Sequence, residues 1–503
     1  MMAKDKGRRY KQRMVYDLLI IGGGINGAAI AREAALNGLS VLLVEKGDLA
    51  GATSSASTKL IHGGLRYLEY FEFKLVAEAL RERERLLHAA PHIIRPLHFV
   101  LPHENSVRPW WMVRLGLLLY DVLGGKMSLA RSRGLSRHDT AYTAPLKAPG
   151  AGTIKGFVYS DAWVDDARLT LLNAVDAAEN GATIAVRTAL ISARREEGGW
   201  RAALSDGQHV AARAMVNAAG PWVHQMLDTL GAKAAAGVRL IKGSHIVVPR
   251  LFAGDHAYIL QQPDRRIVFA IPYEDGFTEI GTTDVPVGTP EEAVIDRAEI
   301  AYLCDAANAH FTRQISPADV HATWSGVRPL YDDGASEAKE VTRDYVLELD
   351  VGGAPLLSVF GGKITTARHL AQEAVAKIAR PMGWAVRPVT LLRTFPGGDI
   401  GNFQAFLGHV RARWPFLGEA RSARMARAYG SRLADMLGTA SSAAALGRDL
   451  GGGLTEVEAR WMHEREWART AEDALHRRSK IGLHLTLAER CAFEEWWALA
   501  FPL

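Results

Sequence analysis

Cysteine is almost missing from this sequence of 503 residues: Cys304 and Cys491 are the only two. A pair so far apart supplies neither a disulfide framework nor a cysteine metal cluster, which suits a reducing compartment. Long apolar runs are missing too. The longest candidate, Trp110 to Leu123 (WWMVRLGLLLYDVL), carries Arg114 and Asp121 and falls short of the ~20 apolar residues that a bilayer crossing needs. The chain is therefore expected not to span a membrane. Its body also lacks net charge. Lys4, Lys6, Arg8, Arg9, Lys11 and Arg13 against Asp5 account for the whole formal +5. The remainder is neutral, which argues against a nucleic-acid-binding surface. Residues 1–13 form a basic tail without the apolar stretch of a secretory signal. A disordered arm or residual vector sequence is the expected reading, and weak attraction to anionic lipid is a further one. No internal repeat or low-complexity segment stands out. Hydrophobic residues make up 48% and charged residues 23%, a globular balance in a chain long enough for two or three domains.

What is present is a dinucleotide-binding pattern. Residues 17–45 run from an apolar β-branched stretch (Leu18 to Ile21) into Gly22-x-Gly24-x-x-Gly27. A helical stretch follows, then a second strand, Val41 to Val44, ending on Glu45. The first glycine permits a tight turn, the second lets backbone approach a pyrophosphate, and the third lets helix pack on strand. The helix N-terminus offers free N–H groups to phosphate, and Glu45 is placed to accept hydrogen bonds from an adenosine ribose. The motif alone does not choose between FAD and NAD.

Further along, Gly51 to Tyr70 is a small-residue, hydroxyl-rich loop, and Phe71 to Ala90 is a helix with alternating Arg and Glu on its exposed side. Asp161 to Gly181 is predicted to be another helix, and short strands follow to Ala218-Ala219-Gly220. Residues 238–290 pattern as a mostly antiparallel sheet, Pro290 to Phe311 as helical, and APLLSVFGGKITTARHLAQEAVAKI as strand, glycine turn and helix. From about residue 396 the composition shifts to Ala, Arg, Glu and Trp at helical spacing, which predicts a separate helical domain over 396–503. The expected unit before it is 14–395, with cofactor-binding segments at about 14–85, 155–235 and 340–395. Substrate segments are expected at about 86–154 and 236–339.

Several strings together resemble the FAD-dependent glycerol-3-phosphate dehydrogenase family: IGGGINGAAIAREAALNGLSVLLVEKGDLAGATSSASTKLIHGGLRYLEYFEFKLVAEAL, NAAGPWV, RLIKGSHIVVP, IGTTDV, SGVRPL, TRDY and SVFGGKITTAR, with RRSKIGL near the C-terminus. The resemblance implies an α/β fold with a Rossmann-like FAD-binding domain of the glutathione-reductase and D-amino-acid-oxidase type, an interleaved antiparallel-sheet substrate domain and a C-terminal helical domain. It implies FAD as cofactor, without an evident covalent attachment residue. It further implies oxidation of sn-glycerol 3-phosphate to dihydroxyacetone phosphate, with electrons passed to a membrane quinone. Carried onto matching positions, it implies FAD contacts from Gly22, Gly24, Ile25, Asn26, Gly27 and Glu45. In the hydroxyl loop it implies them from Thr53, Ser54, Ser55, Ser57, Lys59, Leu60, His62, Gly63 and Gly64. At the later glycine endings they are Ala219, Gly220, Gly361, Gly362, Lys363, Ile364 and Thr365. The expected partners are the substrate and product, a quinone, anionic lipid at the cytoplasmic face of the inner (plasma) membrane, and a second copy in a homodimer. Nucleic acid is not among them.

The residue chemistry is compatible with this. A small phosphorylated alcohol needs cations with directed donors, and Arg66, Arg328 and Lys363 each stand beside glycines. Tyr67 adds a hydroxyl for the phosphate, while Arg328 and Lys363 suit a developing alkoxide. His62 and His245 are candidate proton acceptors, or packing residues. Thr365 and Thr366 are placed to cap the following helix while facing flavin. Arg108-Pro109-Trp110-Trp111-Met112-Val113-Arg114-Leu115 suits a headgroup boundary or a buried core helix. Trp461, Trp467, Trp496 and Trp497 are expected to pack helices. An oxygen-using oxidase of the same substrate, which releases peroxide, and a flavin-binding module without catalysis stand as alternatives.

Overall fold

The run Leu18 to Ile21 is buried on both sides, and its side chains divide alternately between two cores, as a central parallel strand demands. In the computed structural model, which describes residues 15–103, 108–136, 138–147, 154–233, 235, 237–332 and 344–502, this strand (Val15–Ile21) is central to the first of two sheets. That sheet runs Val346–Asp350, Leu356–Phe360, His209–Asn217, Val15–Ile21, Val41–Val44, Thr183–Ala185. Val15–Ile21 is parallel to both neighbours, with Leu19 opposite Met215 and Leu42, and Leu356–Phe360 is parallel to His209–Asn217. Three parallel strands therefore end side by side at Gly22, Ala218 and Gly361. Helices Ile25–Leu36, Asp166–Glu179 and Ala367–Met382 contribute to the core on one face. An antiparallel hairpin (Leu190–Glu196, Gly199–Leu204) and the helix Val223–Thr229 contribute to the other.

The second sheet is mostly antiparallel and runs Val285–Val287, Gly237–Pro249, Phe277–Gly281, Ile267–Tyr273, Ala257–Gln261, Ile94–Pro102, Gly156–Val164, Leu60–Ile61. Ala322–Asp332 pairs with Gly237–Pro249 along their lengths. Leu60–Ile61 and Gly156–Val164, expected among the cofactor-binding segments, pair here instead, so the two layers interleave more finely than composition suggests. Helices Phe73–Ala89 and Trp110–Leu123 contribute to the core on one side of this sheet, and Arg297–Asn308 to the core on the other.

Phe73–Ala89 corrects one expectation. Its Glu82 and Arg83, read as part of a solvated charged side, are buried. Glu82 accepts from Nε and Nη2 of Arg368, each at 2.7 Å, and Arg83 is 2.7 Å from Asp161. Beyond residue 400 the chain is helical (Phe403–Arg413, Gly418–Tyr429, Leu433–Leu437, Glu456–Arg465, Leu487–Ala500) around an apolar cluster that includes Met425, Tyr429, Met462, Phe493 and Trp497. Trp461 and Trp496 pack against that cluster, whereas Trp467 packs on the first sheet's core. Among the described residues no helix is long and apolar enough to cross a membrane. Both cysteines are free, Cys304 buried and Cys491 exposed. The basic tail and Thr342-Arg343 of the TRDY string lie outside the described residues.

Candidate active site

The glycine turn is sterically obligatory. Gly22 holds φ at +107°, and a Cβ on Gly27 would lie 1.9 Å from the Gly22 carbonyl oxygen, so helix Ile25–Leu36 can sit this close to the strand only without that side chain. Gly24 is the N-cap and brings no capping side chain of its own. Instead Ile25 N–H donates to Ser54 Oγ at 2.9 Å, and Asn26 Nδ2 donates to the Gly361 carbonyl at 3.0 Å. The first turn, the hydroxyl loop and the third glycine ending thus converge on one helix N-terminus, the backbone geometry that binds a pyrophosphate. Asn26 Oδ1 is buried there without a partner among the described residues, and a Cβ on Gly362 would lie 2.8 Å from the Asn26 amide. These residues fit FAD. Glu45 ends its strand as expected, but its carboxylate accepts from Gly23 N–H at 2.6 Å and Gly47 N–H at 2.7 Å. Burial raises its pKa against those two hydrogen bonds. It closes the turn through these two backbone hydrogen bonds.

The hydroxyl loop is shaped by one buried ion pair. Lys59 is 2% exposed; its ammonium lies 3.1 Å from Asp166 and donates to the Ser55 carbonyl at 3.0 Å. Burial works against that charge, yet Asp166 and Glu279 hold its pKa above the ordinary value. Ser57 Oγ donates to the same carboxylate at 2.7 Å, and Thr53 Oγ1 donates to the Val327 carbonyl at 2.8 Å. The side chains of Lys59 and Ser57, read as flavin contacts, are therefore spent on holding the loop. Leu60 is core, 4% exposed, and leaves only its backbone to the site. Thr365 Oγ1 accepts from His62 N–H at 3.3 Å, and neither Thr365 nor Thr366 caps the following helix through its side chain.

Two clusters line this loop. In the first, Lys363 Nζ lies 4.0 Å from the centre of the Tyr67 ring, and burial, with Lys363 and Arg83 behind it, pushes the His62 pKa down to about 4. Arg66 Nε is buried without a partner among the described residues. Gly63 N–H donates to Tyr120 Oη at 2.7 Å, and Tyr120 donates to Asp161 at 2.9 Å. Burial pushes Asp161 up to about 6 against the pull of Arg83. In the second cluster, Thr58 Oγ1 is 2.9 Å from His245 Nε2, and His245 stacks on Trp324 with ring centroids 5.6 Å apart. Burial, Lys59 and Arg328 hold His245 well below its ordinary pKa. Arg328 donates to Asp284 at 2.7 Å and to Thr282 at 3.3 Å. At both candidate histidines burial and the neighbouring cations favour the neutral imidazole.

Thr282, Tyr120, Asp161, Asp166 and Glu279 were not anticipated. The only local hint was the Asp165-Asp166 pair opening a helix, where Asp165 accepts from Arg168 N–H as N-cap.

The chain matches the FAD dependent oxidoreductase (DAO) family over residues 17–368. It is 50% identical to a glycerol-3-phosphate dehydrogenase of Pseudomonas aeruginosa over 498 residues, covering 97% of this chain and 96% of that protein. It is 48% identical to the aerobic glycerol-3-phosphate dehydrogenase of Escherichia coli over 492 residues, covering 95% and 97%. A D-erythritol 1-phosphate dehydrogenase of Brucella abortus is 49% identical over 497 residues, covering 96% and 97%. Among solved structures, the glycerol-3-phosphate dehydrogenase from Bacillus halodurans complexed with FAD superposes with a TM-score of 0.76 at 26% identity, covering 98% of this chain and 91% of that one. With the glycine turn, its capped helix and the cation-lined loop in place, the chain belongs to the FAD-dependent glycerol-3-phosphate dehydrogenase family, and FAD is its cofactor.

Proposed function

We propose that this chain oxidises sn-glycerol 3-phosphate at C2 to dihydroxyacetone phosphate and hands the electrons to a membrane quinone. The observation that carries the reading is the position of Lys363. It follows the glycine ending whose carbonyl takes the Asn26 amide, and its ammonium lies over the Tyr67 ring beside the neutral His62. A cation is thereby set one residue from the cofactor's turn, where an alcohol oxygen must lose its proton. The near-full-length similarity to glycerol-3-phosphate dehydrogenases supports the same substrate.

FAD, when bound, supplies the acceptor for the hydride that leaves C2. The chain supplies the rest. Arg66, Tyr67 and Arg328 bind the phosphate, Arg328 and Lys363 stabilise the developing alkoxide, and His62 or His245 takes the hydroxyl proton. The flavin contacts are assigned to the backbone of Gly22, Gly24, Gly63, Gly64, Ala219, Gly220, Gly361 and Gly362, with the hydroxyls of Thr53 and Ser54.

Peripheral membrane contact is assigned to the helix Trp110–Leu123. Trp111, Leu115, Leu118 and Val122 form one exposed apolar stripe, opposite the buried Val113, Leu117 and Tyr120. The flanking arginines are occupied within the protein, Arg108 by Glu69 and Gln261 and Arg114 by Ser132, so the contact rests on the apolar stripe. D-erythritol 1-phosphate is a second reading of the substrate, favoured by the Brucella relative. The test is anaerobic addition of each polyol phosphate to the yellow protein. Faster bleaching by sn-glycerol 3-phosphate supports the first reading, faster bleaching by erythritol phosphate replaces it, and peroxide release during aerobic turnover would replace the quinone with oxygen.

A further inference from the structure

The string RRSKIGL lies more than a hundred residues beyond the last segment of the proposed site, yet it is tied directly to the cofactor turn. Arg478 is 2% exposed and sits with Arg477 on a π-helical turn, Asp473–Arg478. Its two terminal nitrogens grip Asp48 bidentately, both at 2.7 Å, and its Nε donates to the Glu466 carbonyl at 2.9 Å. Arg477 Nε reaches the same Asp48 oxygen at 2.6 Å. Asp48 opens the turn that carries the chain from Glu45 to the hydroxyl loop. In that turn Gly51 N–H donates to the Asp48 carbonyl at 2.9 Å, and Ala50 N–H donates to the Gly23 carbonyl at 3.1 Å. Ala50 holds φ at +58°, a conformation disfavoured for a residue with a Cβ, so the turn needs support from outside itself. Leu49, 1% exposed, packs where a Gly23 Cβ would stand. A second arm reaches the other side of the site. Lys480 lies 2.5 Å from Asp165, whose neighbour Asp166 holds Ser57 and Lys59.

We propose that the C-terminal helical region is a cofactor clamp in which Arg478, assisted by Arg477, is a positioning residue that presses the Asp48–Gly51 turn onto Gly23 and so holds the dinucleotide loop in its FAD-binding shape. The contact is a buried, bidentate, charge-assisted pair, the kind that fixes geometry as well as supplying attraction. Without Asp48 both arginines lose their shared counter-charge, and without Arg478 the buried Asp48 carboxylate keeps only Arg477, so the turn would rearrange to hydrate the exposed partner. The inference rests on FAD as cofactor and not on the identity of the substrate.

The test uses the full chain. Arg478→Met and Asp48→Asn are purified, stripped of FAD and titrated with it, with flavin fluorescence giving Kd; melting temperature and KM for sn-glycerol 3-phosphate at saturating FAD are measured alongside. The clamp requires a rise in FAD Kd of at least tenfold in each variant, no further rise in the double variant, and a KM within about twofold of wild type. Arg424→Met serves as a control, because it breaks a pair with Glu458 inside the helical region without touching Asp48. It should lower the melting temperature and leave FAD Kd unchanged. Should Arg478→Met not fold, Arg478→Lys and Arg477→Gln replace it, with a threefold to tenfold rise expected in each. Unchanged FAD Kd in the folded clamp variants overturns the proposal, and so does an equal rise in Arg424→Met.

Discussion

Glu279 is fully buried on the strand Phe277–Gly281, and among the described residues neither carboxylate oxygen has a hydrogen-bond partner. The nearest ionisable contact is His245 Nε2 at 3.7 Å. Burial pushes Glu279 up from 4.5 to about 8, with Lys59 opposing the rise and Asp166 adding to it. Such a group stabilises the folded state only while protonated. Below pH 4.5 both states carry the proton. Between 4.5 and about 8 the unfolded chain releases it and the folded chain keeps it, so stability falls as pH rises through that window. At about 1.4 kcal/mol per pKa unit the loss is on the order of 5 kcal/mol. Glu279→Gln cannot titrate and nearly preserves the shape of the protonated acid. Of the neighbouring groups, Lys59 and Tyr273 titrate above the window, burial holds His245 well below its ordinary value, and Asp166 is paired with Lys59. Melting temperatures of the FAD-saturated wild type and variant should therefore nearly coincide at pH 5, and the variant should melt higher at pH 8.5. Two parallel curves across this range would refute the reasoning. A variant that loses ground as pH rises would show instead that Glu279 is an anion paired with Lys59.

Three further outcomes are expected. Gly27→Ala places a methyl group 1.9 Å from a backbone carbonyl that cannot yield, so the purified protein should be colourless; a visible flavin band at wild-type intensity would contradict the packing argument. Lys363→Met removes a charged hydrogen-bond donor worth about 1.5–3 kcal/mol, so kcat/KM for sn-glycerol 3-phosphate should fall roughly ten- to 150-fold while bound FAD is retained, and unchanged kinetics would remove Lys363 from the site. Trp111→Glu puts a charge on the tryptophan of the apolar stripe, 67% exposed, and should abolish co-sedimentation with anionic vesicles while leaving flavin reduction in solution intact; undiminished sedimentation would move the contact elsewhere.

What the sequence made legible is what short-range physics dictates. The strand, glycine turn, helix and second strand of residues 15–45 follow from β-branched burial and from the space that only glycine leaves, and the structure repeats them in register. What escaped is charge pairing across distance. Alternating Arg and Glu on Phe73–Ala89 pattern as a solvated side, but Arg368 stands 286 residues from Glu82 and neutralises it in the core. Lys59 lies in a string whose hydroxyls invite a ligand, and nothing local shows that Asp166, 107 residues on, takes its ammonium. Glu279 is followed by Ile280 in a short strand, an acid beside an apolar residue as on a half-exposed strand, but this sheet is covered on both sides, so that pattern misleads there. The pair of Arg478 with Asp48 spans 430 residues and leaves no periodicity or spacing behind. These long-range charge pairs hold the loops beside the glycine turn, which is why the turn and its strand endings were legible in the sequence while the forces that shape the loops were not.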